Sequence, residues 1–335
     1  MDIWPIPNLD LIKKITTPII KSEIIRNELI ADLTSVLSSS IGFPSILWPS
    51  ARSGIAHILK HASFNRSNSV YINRFSSTCL YVALGSFTNV TTDYVRPDAE
   101  IVNHKFGKTV KSQTPQNKVD EILLIEDSCD SIILNSRDLF LNNERAAVIS
   151  LPKIIGSVSG ALIILNPKFE NSNLINSFKL AAENNAQLGD FQFKAKIAGI
   201  LNPRNFDSTN WYVNEHINSH MPINELVHIQ DCLSNLDLNV ATIRRRRKEI
   251  DNIFGFQSWS DDRLGPGFIY PLLAMQEKIV LDYGVPVYHV DLHRENGKDS
   301  KFVKCAIFPI HMGITNLQFE KELECMQTLK SQEME

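Results

Sequence analysis

The chain has 335 residues, of which 43% are hydrophobic and 21% are charged, and its formal net charge is -3. This composition is typical of a globular protein with one large or two modest domains, and it offers no broad basic surface for nucleic acid. No apolar run approaches the length that spans a membrane, and the first residues lack a signal-peptide pattern, so we expect a cytoplasmic protein. The five cysteines are scattered without a CxxC pair, which favours reduced thiols over a structural zinc site.

The first two thirds of the chain predict an α/β sheet. Apolar residues recur at helical spacing over residues 11–40, and "SARSGIAHILKHA" (50–62) begins with small polar residues and continues as an amphipathic helix. Short apolar runs follow at 69–75, 89–95, 121–127, 146–151 and 160–165. Their length and β-branched content favour strands buried on both faces, and the helical segments between some of them indicate crossovers.

The rest of the chain predicts a smaller unit. Residues 222–254 form one long helical pattern that begins with a proline in its first turn. The strand-like runs "GFIYPLLAM", "VPVYHVD" and "VKCAIFPIH" follow, and "NLQFEKELECMQTLK" closes the chain as a helix. We therefore predict a large α/β domain over residues 1–240 and a small α+β domain over residues 241–335. The run "RRRRKE" (244–249) is interpreted as a solvated helix face rather than a nucleic-acid patch.

Three segments carry polar residues at the ends of predicted strands, where open α/β sheets gather ligands. In "PSARSG" (49–54), a turn of small residues opens onto a helix, and its N–H groups with Arg52 favour a phosphate. In "LLIEDSCD" (123–130), a carboxylate follows a buried strand, where it could cap a helix, bind a metal or pair with a cationic heterocycle. In "SLPKIIGSVSG" (150–160), Lys153 either reaches solvent or is a desolvated nucleophilic amine.

An amine, a strand-end acid and a phosphate cradle are what pyridoxal phosphate (PLP) requires. The amine attaches the cofactor, and the acid keeps the ring nitrogen protonated so that the ring accepts electrons from the substrate. The order of the segments is a phosphate turn, an aromatic residue (Phe75), a strand-end acid (Asp127) and then Lys153. This order is that of fold-type I PLP enzymes, and the sequence resembles the DegT/StrS type of sugar-nucleotide aminotransferases.

The resemblance covers most of the chain and implies a fold-type I transferase, in which a mixed, mostly parallel sheet is flanked by helices. It implies that Ala51 and Arg52 lie beside the cofactor phosphate, with Ser150 near it. It also implies that Phe75 stacks on the cofactor ring, although a plain core aromatic is the alternative for this residue.

Two further roles follow from motifs that resemble the family's own. "LLIEDSCDS" is similar to the family's Glu-Asp-Ala-Ala-Gln/His motif, which makes Asp127 the partner of the pyridinium nitrogen. "ISLPKIIGSVSGAL" is similar to the family's lysine segment, which makes Lys153 the Schiff-base lysine and a general acid/base. The resemblance implies a homodimeric aminotransferase that acts on a nucleotide-linked keto-sugar, with glutamate as amino donor and no nucleic-acid or membrane partner.

The sequence departs from the family at two cofactor-facing positions. Asp130 replaces a glutamine or histidine that contacts the phenolic oxygen of PLP, and "SHMPIN" (219–224) replaces an asparagine-containing loop. His220 lies near that asparagine position and is a candidate substrate-binding residue. Asp130 and His220 could each instead be a surface polar group. These departures motivate an alternative function as a non-catalytic binding or regulatory relative, whereas a dehydratase is disfavoured because related dehydratases replace the lysine with histidine.

No metal site is predicted. "YHVDLHRE" (288–295) places His289, Asp291 and His293 on one face of a strand. A fourth ligand is not apparent in the sequence, so a strand edge or a loop at the mouth of the site is favoured over a metal pair.

Overall fold

The computed structural model describes residues 23–118, 121–133, 136–182, 191, 193–198, 219–254, 263–273, 275–293 and 301–333. Its helices are α1 (Glu23–Ile41), α2 (Ala51–His61), α3 (Thr78–Gly85), α4 (Leu151–Ile155), α5 (Ser172–Ala182), α6 (Ile223–Leu233), α7 (Leu236–Phe254), α8 (Glu277–Asp282) and α9 (Asn316–Glu333). Its strands are β1 (Ser45–Trp48), β2 (Ser69–Ile72), β3 (Asn89–Thr91), β4 (Ala99–Asn103), β5 (Leu123–Asp127), β6 (Ala146–Ser150), β7 (Ala161–Leu165), β8 (Gly267–Pro271), β9 (Val287–His293) and β10 (Lys301–Pro309).

The larger sheet has seven strands in the order β1-β7-β6-β5-β4-β2-β3. Strand β7 runs antiparallel to both of its neighbours, whereas β6, β5, β4, β2 and β3 pair in parallel. The central strands are apolar because helices cover both faces of the sheet, as the fully buried "ALIIL" of β7 illustrates. The predicted mixed, mostly parallel α/β sheet is confirmed. Its parallel strands bring their carboxyl ends to one edge.

Each of the five predicted strand runs contains a strand, but β1 and β4 were not predicted. Strand β1 is only four residues long, too short to show periodicity. Strand β4, "AEIVN", contains Glu100, whose carboxylate is 1% exposed and accepts hydrogen bonds from Thr114 N (3.0 Å) and Thr114 Oγ1 (2.8 Å). A charged residue in the middle of a buried strand hides the strand from an apolar pattern, and its cost is offset by these tertiary bonds.

The helical pattern over 222–254 is wrong as a single helix, since it is divided into α6 and α7. Ser234 Oγ donates to Asp231 O at 2.6 Å, and Asn235 Nδ2 donates to Asp231 O at 3.5 Å. Short polar side chains compete in this way with the helical backbone, which explains the break. Pro222 occupies the N-cap of α6 rather than its first turn.

The arginine run at 244–249 is not a uniformly solvated face. Arg246 is 2% exposed, and it donates through Nη2 to Ile314 O at 3.1 Å and through Nη1 to His311 O. Its guanidinium also lies 4.9 Å from the ring centre of Phe319. Arg246 is three residues after the buried Ile243, so the helical period turns it inward, where it fastens the segment after β10 to α7.

The smaller sheet is antiparallel, in the order β8-β10-β9. One hydrophobic core includes Leu162 of the large sheet, Ile243 of α7, Phe308 of the small sheet and Leu329 of α9. Residue 240 lies inside α7, and the division of the chain at that residue stays a prediction. Residues 11–22 of the first predicted helix lie outside the described residues. None of the described helices combines the length and the apolar character that crossing a membrane requires.

Candidate active site

Lys153 lies in a one-turn helix directly after a central strand. Helix α4 begins after Ser150 with Pro152 in its first turn, and its C-cap is Gly156, whose φ of 69° is left-handed. Proline at the start and glycine at the end confine the helix to a single turn. Lys153 Nζ lies 2.6 Å from Asp130 Oδ1, and the two side chains are 29% and 7% exposed. The amine is thus paired with a carboxylate and partly exposed, and its role as a nucleophile stays a prediction.

The surroundings of Lys153 favour its protonated form. Burial lowers the pKa of Lys153, but the charge of Asp130, the charge of Cys129, the hydrogen bond to Asp130 and the charge of Asp127 together outweigh burial and raise the pKa above the usual lysine value. A protonated amine has no lone pair for attack on a carbonyl. Lys153 therefore has to release a proton, or Asp130 has to be neutralised, before the amine can act as a nucleophile.

Asp127 ends β5 and is 8% exposed. Its Oδ2 accepts a hydrogen bond from Asn103 Nδ2 at 2.8 Å, and its Oδ1 accepts one from Cys129 N at 3.1 Å. Burial raises the pKa of Asp127 despite the bond from Cys129. The residues that follow directly, 128–133, form a turn and not a helix, so the helix-cap interpretation is wrong. The carboxylate is held in one orientation at the carboxyl edge of the sheet.

A second lysine at this edge was missed from the sequence. Lys105 follows β4, and its Nζ donates to Phe75 O at 2.6 Å. Burial lowers the pKa of Lys105, the charges of Asp130 and Asp127 raise it, and the charge of Lys153 lowers it, with a lowered pKa as the net result. Asn103 and Lys105 were overlooked because β4 was not predicted; the run "NHK" after a strand was the available signal.

The small-residue turn lies against the lysine segment. Ser50 is the N-cap of α2, and its Oγ accepts from Ser53 N at 3.2 Å. Gly160 N donates to Pro49 O at 2.9 Å, and Leu151 N donates to Gly160 O at 3.1 Å, so the start of α2 is tied to the start of α4. Gly54 allows the close approach of α2 to the sheet, because a Cβ at this position would stand 2.3 Å from Ile163 Cδ1.

The remaining predicted residues are distributed around this edge. Ala51 and Arg52 form the first turn of α2 and are half-buried. Ser150 is the N-cap of α4 but does not use its side chain to cap that helix. Phe75 is half-buried and stacks on His289, with ring centres 4.5 Å apart and planes 13° apart.

Asp130 and His220 are 5% and 6% exposed, so the surface alternative is wrong for both. The segment around His220 is fixed by Arg26 Nε, which donates to Met221 O at 2.9 Å, and by Ser219 Oγ, which donates to Ala181 O at 2.6 Å. A role of His220 in substrate binding stays a prediction.

A separate buried ionic network is formed by Glu126 of β5, whose side chain points to the opposite face of the sheet from that of Asp127. Arg263 Nη1 contacts Glu126 Oε1 at 2.6 Å, with the two side chains 2% and 0% exposed, and Phe140 N donates to Glu126 Oε2 at 2.8 Å. Ligand atoms of His104, Glu126 and Glu144 lie within 4.8 Å of one another, a group that could hold a metal ion. Because the guanidinium of Arg263 already supplies a positive charge to Glu126, we interpret this group of residues as structural rather than metal-binding.

The sequence pattern at His289, Asp291 and His293 is only partly described. The side chains of Asp291 and His293 lie outside the described residues. His289 faces Phe75 as an aromatic partner.

These residues fit PLP. Lys153 offers an amine, and Asp127 offers a buried carboxylate that two donors already orient. The start of α2, with Ala51 and Arg52, and the hydroxyl of Ser150, which does not cap α4, can meet a phosphate. A seven-stranded sheet with one antiparallel strand, with a lysine and an aspartate at its carboxyl edge, defines the fold-type I class of PLP-dependent transferases.

A family model described as "Putative PLP-dependent aminotransferase" matches residues 41–326. The chain belongs to this family of PLP-dependent aminotransferases, and its cofactor is PLP. This membership favours the catalytic interpretation over the binding-subunit alternative. A sequence search of the curated proteins finds no match.

Solved structures agree in fold. "Putative sugar aminotransferase Spr1654" from Streptococcus pneumoniae, in its PLP form, superposes with a TM-score of 0.63 at 9% identity over 98% of each chain. Sugar aminotransferase CalS13 from Micromonospora echinospora superposes at 0.59 and 14% identity, over 98% of this chain and 99% of its own. The 8-amino-7-oxononanoate synthase of Francisella tularensis superposes at 0.52 and 14% identity, over 98% and 92%. Because this set includes a synthase, the fold does not choose the substrate.

Proposed function

We propose that this aminotransferase aminates a keto-sugar attached to a nucleotide, with Lys153 as the lysine that carries PLP and Asp127 as the partner of its ring nitrogen. The observation that carries the assignment is that Lys153 pairs with Asp130 beside Asp127, a buried carboxylate that accepts two hydrogen bonds. An amine and an oriented carboxylate at the same edge are the two groups the chemistry needs.

Asp127, Lys153 and Asp130 have distinct roles in the proposed reaction. Bound PLP supplies an electron sink for the negative charge that develops on the substrate carbon. Asp127 holds a proton at the ring nitrogen of the cofactor. Lys153 would move a proton to and from the substrate carbon as a general acid/base. Asp130 stabilises the protonated form of Lys153 and thereby sets the pH at which the amine turns from acid to base.

The sugar substrate, the donor and the oligomer rest on similarity. The sequence motifs resemble sugar-nucleotide aminotransferases, and solved structures named as sugar aminotransferases share the fold. The resemblance supports glutamate as the amino donor and a homodimer as the assembly. The buried His220, near a loop that departs from the family pattern, is the candidate contact to the substrate.

The test of the lysine is covalent attachment. Purified protein is mixed with PLP, its visible absorption is recorded, and the adduct is fixed with borohydride and located by peptide mass. We expect one adduct, on Lys153, and none in Lys153→Ala. Lys105→Gln is the matched control, because this second amine lies at the same edge, and it should keep the adduct on Lys153. An adduct on Lys105, or an unchanged adduct in Lys153→Ala, would overturn the assignment.

The test of the substrate follows on the same preparation. Glutamate should convert the visible band and release 2-oxoglutarate, and a nucleotide-linked keto-sugar should then restore the band and appear as the amino sugar. Restoration by simple 2-oxo acids alone, with none by nucleotide-linked keto-sugars, would refute the sugar proposal and leave the aminotransferase assignment in place.

A further inference from the structure

The helix that carries Lys153 is held by a side chain from a distant part of the chain. Because α4 is a single turn, most of its carbonyl groups have no partner within the helix. Gly156 N closes the turn by donating to Pro152 O at 3.2 Å. The carbonyl of Ile154, the residue next to Lys153, accepts a hydrogen bond from Asn239 Nδ2 at 2.6 Å. Asn239 thus completes the bonding of α4 at the residue that follows the lysine.

The same amide also holds the segment that leaves the small sheet. Asn239 lies in α7 and is 2% exposed, and its Oδ1 accepts a hydrogen bond from Met312 N at 3.0 Å. Met312 comes shortly after β10, the central strand of the small sheet. Ile154 lies 85 positions before Asn239 in the chain, and Met312 lies 73 positions after it. One side chain therefore joins three segments that are distant in sequence.

The two hydrogen bonds together require an amide. Ile154 O needs a donor and Met312 N needs an acceptor, and a neutral primary amide offers both from one short side chain. An ionised carboxylate accepts but does not donate, and an aliphatic side chain does neither. Loss of the amide would leave the buried carbonyl of Ile154 without this donor, which costs free energy because water does not replace it there.

The segment after β10 (residues 310–314) has further anchors on α7. Arg246 Nη2 donates to Ile314 O at 3.1 Å, and Arg246 Nη1 donates to His311 O. Within the segment, Gly313 N donates to His311 Nδ1 at 3.0 Å. Asn239 therefore ties α4 to a stretch of backbone that other hydrogen bonds already fix, and such support is what holds a functional side chain in position.

We propose that Asn239 is a positioning residue, whose amide joins the helix of Lys153 to the segment after β10 and thereby holds the lysine beside Asp130. The inference rests on the proposed function, in which Lys153 carries PLP. Lys153 Nζ lies 2.6 Å from Asp130 Oδ1. These two residues belong to different segments, so the distance between them depends on how firmly α4 is held.

The first experiment measures amide hydrogen exchange in peptides of the protein by mass. Asn239→Leu removes both hydrogen bonds, so exchange should become about fivefold faster over residues 151–156 and over residues 310–314, the factor that one lost hydrogen bond gives. Val240→Ala is the matched control, because Val240 is the next residue of α7, is buried in the hydrophobic core and has an apolar side chain. It should leave exchange in both peptides unchanged. Unchanged exchange in either peptide of Asn239→Leu would overturn the inference.

The second experiment is the pH profile of PLP attachment to Lys153, fixed with borohydride and located by peptide mass. The surroundings of Lys153 hold its pKa above the usual lysine value, and a loosened α4 should return the pKa toward that value. The profile of Asn239→Leu should therefore move down by about 0.5–1 unit. Val240→Ala should keep the profile even though it weakens the core. An equal shift in Val240→Ala, or none in Asn239→Leu, would contradict a positioning role.

Asn239→Asp is the second variant, used where Asn239→Leu does not fold. Its ionised carboxylate still accepts from Met312 N but donates nothing to Ile154 O. Exchange should become faster over residues 151–156 and stay unchanged over residues 310–314. The reverse pattern would refute the proposed bridge.

The site of the PLP adduct separates this inference from the proposed function. If the adduct of the unaltered protein is on a lysine other than Lys153, the proposed function fails and the positioning inference fails with it. If the adduct is on Lys153 but the Asn239 variants change neither exchange nor the pH profile, the lysine assignment stands and only the positioning inference fails.

Discussion

Two ion pairs involve acids that are close in sequence and have the same N···O distance, yet the burial of their side chains differs. Lys153–Asp130 and Arg263–Glu126 both have an N···O distance of 2.6 Å, and the two acids are four residues apart. In the second pair the side chains are 2% and 0% exposed, and Ser128 Oγ and Phe140 N complete the bonding of Glu126. In the first pair the lysine is 29% exposed.

The difference indicates what each pair can do. Every oxygen of Glu126 is engaged, and the pair is sealed, so breaking it would strand a charge away from water. Lys153, which pairs with Asp130 at the carboxyl edge of the sheet, keeps 29% of its side chain exposed, so a ligand can reach it. The two pairs therefore have the same N···O distance but differ in burial, and the distance alone does not distinguish them.

The largest expected effect on stability comes from breaking the buried Arg263–Glu126 pair. Arg263→Met should lower the free energy of unfolding by about 3–5 kcal/mol, because Glu126 would stay buried without its cation. Denaturant unfolding of the cofactor-free protein measures this. The double variant Arg263→Met with Glu126→Gln should recover part of the loss, since it leaves no charge behind. A loss below about 1 kcal/mol in the single variant would remove the contrast with the exposed pairs.

Substitution in the Lys153–Asp130 pair should alter the pH dependence of cofactor attachment more than the stability of the fold. Asp130 raises the pKa of Lys153, and the neutral amine forms only as pH rises toward that pKa. Asp130→Asn removes the charge that offsets burial, so the pKa should fall and the pH profile of cofactor attachment should move down by about 1–3 units. The rate of borohydride-fixed attachment across pH measures the shift.

Asp130→Glu is the control for that experiment, because it keeps the negative charge and should keep the profile near its original position. An unchanged profile in Asp130→Asn would mean that Asp130 does not govern the amine.

A smaller effect is expected at the donor to Asp127. Asn103→Leu removes the 2.8 Å bond to Oδ2 and should lower the free energy of unfolding by about 1 kcal/mol. The pKa of Asp127 should rise further, because a bond to its charged form is lost. The same substitution in an Asp127→Asn background should cost less if the bond is the cause. An equal cost in both backgrounds would assign the loss to packing.

The smallest effect is expected at an exposed pair. Lys304 Nζ lies 2.8 Å from Glu277 Oε2, but these side chains are 48% and 34% exposed. Lys304→Gln should change the free energy of unfolding by about 0.2–1 kcal/mol, since solvent screens the pair. A loss as large as that of Arg263→Met would show that burial does not separate these pairs.

Much of the large sheet was predictable, because its central strands are buried on both faces and are therefore continuously apolar. The prediction failed for β1, which is short, and for β4, which contains Glu100. It also failed at Ser234 and Asn235, where side-chain bonds to the backbone end α6 although the apolar period continues. At these positions the apolar pattern does not predict the observed element, because strand length or side-chain hydrogen bonds decide the structure.

The candidate site was predictable to a similar extent. Lys153, Asp127 and the turn at the start of α2 follow strands that the sequence reveals, and strand ends are where ligands gather. Asn103 and Lys105 were missed with their strand. The pairing of Asp130 with Lys153 was also missed, because residues 23 positions apart meet only when β5 and β6 lie side by side.

The sequence by itself determined the α/β class, the order of the site segments and the residue types that PLP chemistry needs, because these follow from local periodicity and from motifs within single segments. Only the tertiary structure decided that Lys153 pairs with Asp130 and that Arg246 and His220 are buried. Charge state and burial depend on which segments become neighbours, and that is a property of packing between distant parts of the chain.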